Sequence, residues 1–127
     1  MTDTQEQIRF TTRVLGPAAA SRLEKRQVTQ TLRSKNDSVA NAILLGRISA
    51  GGRLDVFLDR IFVGHAELVS MDVVTWEGLG TRDARRGGFS DRFDLGQALQ
   101  RAGFRFMPLN DYQLYRIQFA WLEEAYA

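Results

Sequence analysis

The run Ile61–Trp76 (IFVGHAELVSMDVVTW) restricts the fold more than any other part of the sequence. It is rich in β-branched and aromatic residues and belongs in a sheet. It is too long for one straight strand, so a bulge or bend is predicted at Gly64 or Ser70. The run before it, Leu54–Asp59 (LDVFLD), is a second strand, and Asp59-Arg60 between the two suits a hairpin connection.

The remaining segments are shorter. Gln7–Arg13 (QIRFTTR) alternates weakly and is predicted as a strand. Gly16-Pro17 punctuates, with Pro17 suited to the first turn of a helix over PAAASRLEKR. Val28–Arg33 (VTQTLR) alternates again, with Val28, Gln30 and Leu32 on one face and Thr29, Thr31 and Arg33 on the other. VANAILLGR is predicted as a short helix capped by Asp37 or Ser38 and ended by Gly46, with a strand as the alternative. Leu79–Arg86 forms another, stopped by Gly87-Gly88. A further helix starts at Ser90 or Asp91, with Leu95, Ala98, Leu99 and Ala102 on one face and Gly103 at its end. Tyr112–Trp121 closes the chain as a strand.

Strands lie close together in this order and βαβ repetition is lacking. The expected fold is therefore α+β: a small antiparallel β-barrel with short helices on its rim. The 127 residues suit a single domain over 1–127, with 1–6 and 123–127 expected to be flexible.

Composition narrows the chemistry. Cysteine is absent, which removes disulfides, thiolate nucleophiles and cysteine-based zinc sites. No stretch approaches the roughly 20 apolar residues of a membrane helix, and the polar, acidic start MTDTQEQ does not read as a signal peptide. A cytoplasmic location without a membrane partner is expected. No phosphate-binding loop or GxSxG elbow is present, and a lone His65 makes a poor metal site, so neither cofactor nor metal is expected. Of 17 cations, 15 are arginine, whose planar fork matches phosphate and stacks on bases. Residues 1–50 carry eight basic against four acidic side chains, and residues 51–127 nine against eleven. The positive first part can attract a polyanion.

Four segments, taken in order, resemble the ASCH domain family of PUA-like barrels. They are VTQTLR, GGRLDVFLD, VGHAELVSMDVVTWEGLGTRDARRGGF and YRIQF (Tyr115–Phe119), and together they span most of the chain. The resemblance implies a barrel with a cleft beside the first helix, and an association with RNA. Some members hydrolyse N4-acetylcytidine or cleave RNA. Arg33 and Thr31 stand where the family's arginine and its hydroxyl or carboxylate are expected. Val28 occupies the lysine position, Arg26 that of a glycine, and Gly87 that of the helix glutamate. Valine and glycine can neither activate water nor protonate a leaving nitrogen, so no catalytic residue is assigned. Lys25 could reach the site, and Glu67, Glu77 or Asp83 could replace the carboxylate.

The expectation is thus an RNA-binding module whose basic cleft lies near the first helix. Its candidate contacts are Lys25, Arg26, Thr29, Thr31, Arg33, Lys35, Arg82, Arg85, Arg86 and Tyr115. Thr29, Thr31 and Arg33 would line the cleft and grip a phosphate or base edge. Lys25, Arg26 and Lys35 would hold the backbone, with Arg82, Arg85 and Arg86 joining from a helix and Tyr115 offering a stacking surface. The plainer alternatives are a polar strand face, solvated charges, arginines paired with Asp83 and Asp91, and core aromatics. DNA could replace RNA. A hydrolase or ribonuclease of the same fold, or a protein-interaction module using a sheet edge, are the rival functions.

Overall fold

A computed structural model describes residues 5–104 and 113–123. Its elements are β1 (Gln5–Phe10), α1 (Thr12–Leu15), α2 (Pro17–Glu24), β2 (Gln30–Arg33), α3 (Ser38–Leu44), β3 (Arg53–Leu58) and β4 (Ile61–Val74). A 3₁₀ turn (Trp76–Gly78), α4 (Thr81–Arg86), α5 (Arg92–Arg101) and β5 (Leu114–Trp121) follow. The strands form one curled five-stranded sheet, a half-barrel, in the order β1-β3-β4-β5-β2. β2–β5, β4–β5 and β3–β4 pair antiparallel; β1 joins β3 in parallel, which the sequence pattern did not signal.

The long strand bends where its length demanded. Register shifts leave Val63 and Val69 without partners, each one residue before Gly64 and Ser70. Two bulges on one strand bend the sheet twice and curl it toward closure. Asp59 and Arg60 both have positive φ, 50° and 70°, as a tight hairpin with right-handed twist requires.

The first strand ends earlier than its composition predicts. Thr11 caps α1 by accepting from the Val14 N–H, and Asp59 accepts from the backbone and hydroxyl of Thr12. Capping thus overrides the β preference of Thr11 and Thr12. These two bonds also hold the Asp59 carboxyl below its ordinary pKa, the hydroxyl of Thr12 first and its backbone N–H second. Gln5 and Glu6, expected in a loose end, belong to β1, and Val28 and Thr29 precede β2. Of the two candidates at each helix start, Asp37 caps α3 and Asp91 caps α5. Tyr112 lies outside the described residues.

Apolar side chains collect on both faces of the sheet. The larger cluster fills the concave face, where Ile8, Leu54, Val56, Leu68 and Ile117 meet Leu23 of α2 and Val39 of α3. The smaller one lies between the other face and α4–α5, around Leu79, Leu95, Leu99 and Leu114. Each fully buried large side chain contributes about 1.5–3 kcal/mol, so both faces help hold the sheet in place. Among the described residues no helix is long and apolar enough to cross a membrane.

Candidate nucleic-acid interface

The two edge strands of the half-barrel, β1 and β2, leave a seam, and Arg33 spans it. Its Nη2 donates to the Arg9 carbonyl at 2.9 Å, Nε to the Thr31 hydroxyl at 3.0 Å, and Nη1 to Asp37 Oδ1 at 3.0 Å. The guanidinium carbon lies 4.7 Å from the centre of the Phe10 ring. Thr31 pairs with Ile117 and Arg33 with Tyr115 across the ladder, so both point to the concave face. Tyr115 packs against the larger cluster there, half-buried.

Around this seam is a cleft of about 310 Å³. Its walls include Arg9, Phe10 and Arg13 from β1 and α1, and Thr31, Arg33 and Asn36 from β2 and the turn after it. Arg9 and Arg13 are exposed and pair with no carboxylate among the described residues; Arg9 donates to Gln7 Oε1 at 2.7 Å. The cleft therefore combines free positive charge at its rim with hydroxyl, amide and aromatic groups inside.

A smaller chamber of about 60 Å³ adjoins it, sharing Phe10, Val14, Thr31 and Leu32. Val28, Thr31, Gly87 and Asp83 all line this chamber. Of the positions that the family resemblance relates to one another, Val28, Thr31 and Gly87 are thus neighbours in space, and Arg26 and Arg33 lie outside the chamber. Gly88, with φ +94°, packs against Val28 from outside the chamber: a Cβ there would meet Val28 Cγ2 at 2.8 Å. Only glycine fits such a conformation and approach.

Asp83 is not a free carboxylate. Its Oδ1 accepts from Gln30 Nε2 at 3.1 Å and Arg116 Nη1 at 3.0 Å, and its Oδ2 accepts from the Gly80 N–H at 3.1 Å. Burial works against its charge, but these bonds outweigh burial and hold its pKa below the ordinary value. Arg116 also donates to Asp72, whose pKa is lowered chiefly by that bond; the same bond is the main cause of the raised pKa of Arg116. Gln30 is 2% exposed and its Oε1 has no partner among the described residues. Rotating the amide would set that oxygen against the Asp83 carboxylate, so the observed orientation is the favourable one.

The other predicted contacts separate. Lys25 and Arg26 are exposed beyond the end of α2, where Arg26 donates to the Val63 carbonyl at 3.2 Å and lies 5.9 Å from the Trp121 ring centre. Thr29 lies nearby, its N–H bonded to the Arg86 carbonyl at 2.8 Å. Arg82, Arg85 and Arg86 are exposed on α4, on that same side of β2, and Lys35 is exposed in the turn after β2. At about 3.3 Å per residue, Thr29 and Arg33 are some 13 Å apart along the chain. Thr31, Arg33 and Lys35 thus stand at one end of β2, and Lys25, Arg26, Thr29 and Arg86 at the other. Arg9, Arg13 and Asn36 were not foreseen. Alternation in β1, with Ile8 and Phe10 buried and Arg9 exposed, was the available signal for Arg9.

His65 Nδ1 lies 2.7 Å from Asp55 Oδ1. No group of three or more metal-ligating side chains occurs among the described residues.

No family model matches the chain, and no curated protein matches it. Among solved structures it is similar to protein EF3133 from Enterococcus faecalis V583, whose family model is DUF984. The TM-score is 0.53 at 10% identity, over 81% of this chain and 66% of that one. The likeness is one of fold.

Proposed function

We propose that this chain is a PUA-like module of ASCH type that binds RNA, or a nucleotide portion of it, at the seam between β1 and β2. The carrying observation is the 310 Å³ cleft, with Arg9 and Arg13, which pair with no carboxylate among the described residues, at its rim and Thr31, Asn36 and Phe10 lining it. Cations at the rim favour phosphate, and the inner groups suit the edge or face of a base. Arg33 contributes mainly by holding the seam in shape, because three of its five N–H donors already have partners and Asp37 offsets its charge. Lys25, Arg26, Arg82, Arg85 and Arg86 fall to a separate basic surface, which a longer strand could also touch. A cytoplasmic setting accords with this reading.

Binding is favoured over turnover. The 60 Å³ chamber has room for about two waters, not for a base. Its carboxylate, Asp83, is held ionised by the Gly80 N–H, Gln30 and Arg116 and is a poor proton donor at neutral pH.

Fluorescence anisotropy with labelled single-stranded RNA, matched DNA and transfer RNA tests the proposal. Micromolar or tighter binding is expected, with a log–log salt slope of about −2 to −3 for three or four phosphates. A flat salt response, or full binding by Arg9→Gln, would remove the seam from consideration.

A further inference from the structure

A second cavity lies on the other side of α1, between α1, α2 and α5, with a volume of about 430 Å³. Three arginines from three elements line it: Arg13, Arg22 and Arg101. Arg22 and Arg101 are fastened to backbone carbonyls, and Arg13 makes one long contact to another. Arg22 Nη1 donates to Gly88 O at 2.6 Å, Arg101 Nε to Val14 O at 2.8 Å and Nη2 to Leu15 O at 3.3 Å, and Arg13 Nη1 to Arg101 O at 3.5 Å. Among the described residues none of the three pairs with a carboxylate. A carbonyl fixes a guanidinium without cancelling its charge, and each of these keeps spare N–H donors. One carboxylate, Asp94, lines the same groove against the three cations.

We propose that this groove is a phosphate-binding site that takes a phosphate ester of nucleoside size. Preset forks from several directions suit a phosphate, whose oxygens accept from more than one side. The volume exceeds what bare phosphate needs and falls in the range of small-ligand sites. Leu15, Pro17 and Phe89 supply an apolar wall for the rest of the ligand. This site goes beyond the seam reading and stands on Arg22 and Arg101, which the seam cleft does not contain. The two cavities meet at Arg13 and Leu15, so the phosphate can come from a free nucleotide or from a strand that also occupies the seam.

The test is a titration of ¹⁵N-labelled protein with cytidine 5′-monophosphate, cytidine and a single-stranded RNA hexamer, followed in amide and arginine Nε–H spectra. The monophosphate is expected to shift Ala18, Ala19, Gly88 and the Arg22 side chain saturably, and cytidine to bind at least tenfold more weakly. Arg101→Gln should weaken the monophosphate at least fivefold, and Arg47→Gln should leave it unchanged. Should Arg101→Gln fail to fold, Arg22→Lys, which keeps charge but loses the fork, should give a loss of similar size. Groove shifts with the hexamer identify a strand as the source; shifts with the monophosphate alone identify a free nucleotide. Equal response to cytidine, shifts spread over exposed arginines at large, or no response to any phosphate overturns the proposal. Failure of the seam reading is seen separately, as a hexamer that leaves Thr31 and Asn36 unmoved.

Discussion

Arg116 and the arginines around α1 are held in opposite ways. Arg116 lies between Asp72 and Asp83, and its charge is spent inside the fold. Arg13, Arg22 and Arg101 are held by carbonyls, and Arg9 by a glutamine. Arg33 is intermediate, with one carboxylate, one carbonyl and one hydroxyl. The type of partner, more than exposure alone, separates arginines that build the sheet from arginines that remain available to an anion.

The strongest way to break this comparison is Arg116→Met. It leaves Asp83 and Asp72 without their cation, and Asp83 is largely buried. An unpaired, partly buried carboxylate should cost about 2–3 kcal/mol, a fall in Tm on the order of 10 °C in a thermal melt. An unchanged Tm would mean that Arg116 is no more structural than the groove arginines.

Arg33→Gln should come next, at about 1–2 kcal/mol, because it loses the seam bonds and the Phe10 contact together. Its Tm should fall by roughly 5 °C, with RNA affinity falling as the cleft loosens. A loss of affinity without any loss of stability would instead make Arg33 a direct contact.

Acid sharpens the contrast. Asp72 and Asp83 have folded pKa values below their ordinary value of 3.8. Such groups contribute stability that is fully present above the unfolded pKa and is lost as pH falls through the folded one. Urea midpoints should hold steady from pH 7 to about 5 and drop below about 4. The drop should be shallower in Arg116→Met, which lacks the main cause of the Asp72 shift and one of the causes, after the Gly80 N–H and Gln30, of the Asp83 shift. Parallel curves for the two proteins would assign the acid loss elsewhere, to Asp59 for example.

Arg9→Gln should have the smallest effect on stability, within about 0.5 kcal/mol for an exposed side chain. Its RNA affinity should nevertheless fall, and the salt slope should shrink by about 0.7 for one lost phosphate contact. Anisotropy at several salt concentrations measures both.

Much of the architecture was legible because it follows from local chemistry. The length of Ile61–Trp76 required bends, and they occur at Val63 and Val69. Asp37 and Asp91 announced their helices through capping, and Leu95, Ala98 and Leu99 announced a buried face. Local pattern misled at Thr11 and Thr12, where a bond to Asp59 from far along the chain outweighed β propensity. It also grouped Lys25 and Arg26 with Arg33, because short separation along a strand is still a large distance in space.

The sequence by itself determined most of the strands and helices, where the long strand bends, and that the chain carries an excess of arginine forks without cysteine. Those properties reside in side-chain shape, spacing and capping, which act within a few residues. Only the tertiary structure decided which arginines are spent and which stay available. The curl of the sheet brings β1 to β2, so that Arg33 reaches the Arg9 carbonyl. It likewise brings α4 to β5, so that Asp83 meets Arg116. An arginine's role depends on its partners, and these partners lie 24 and 33 positions away.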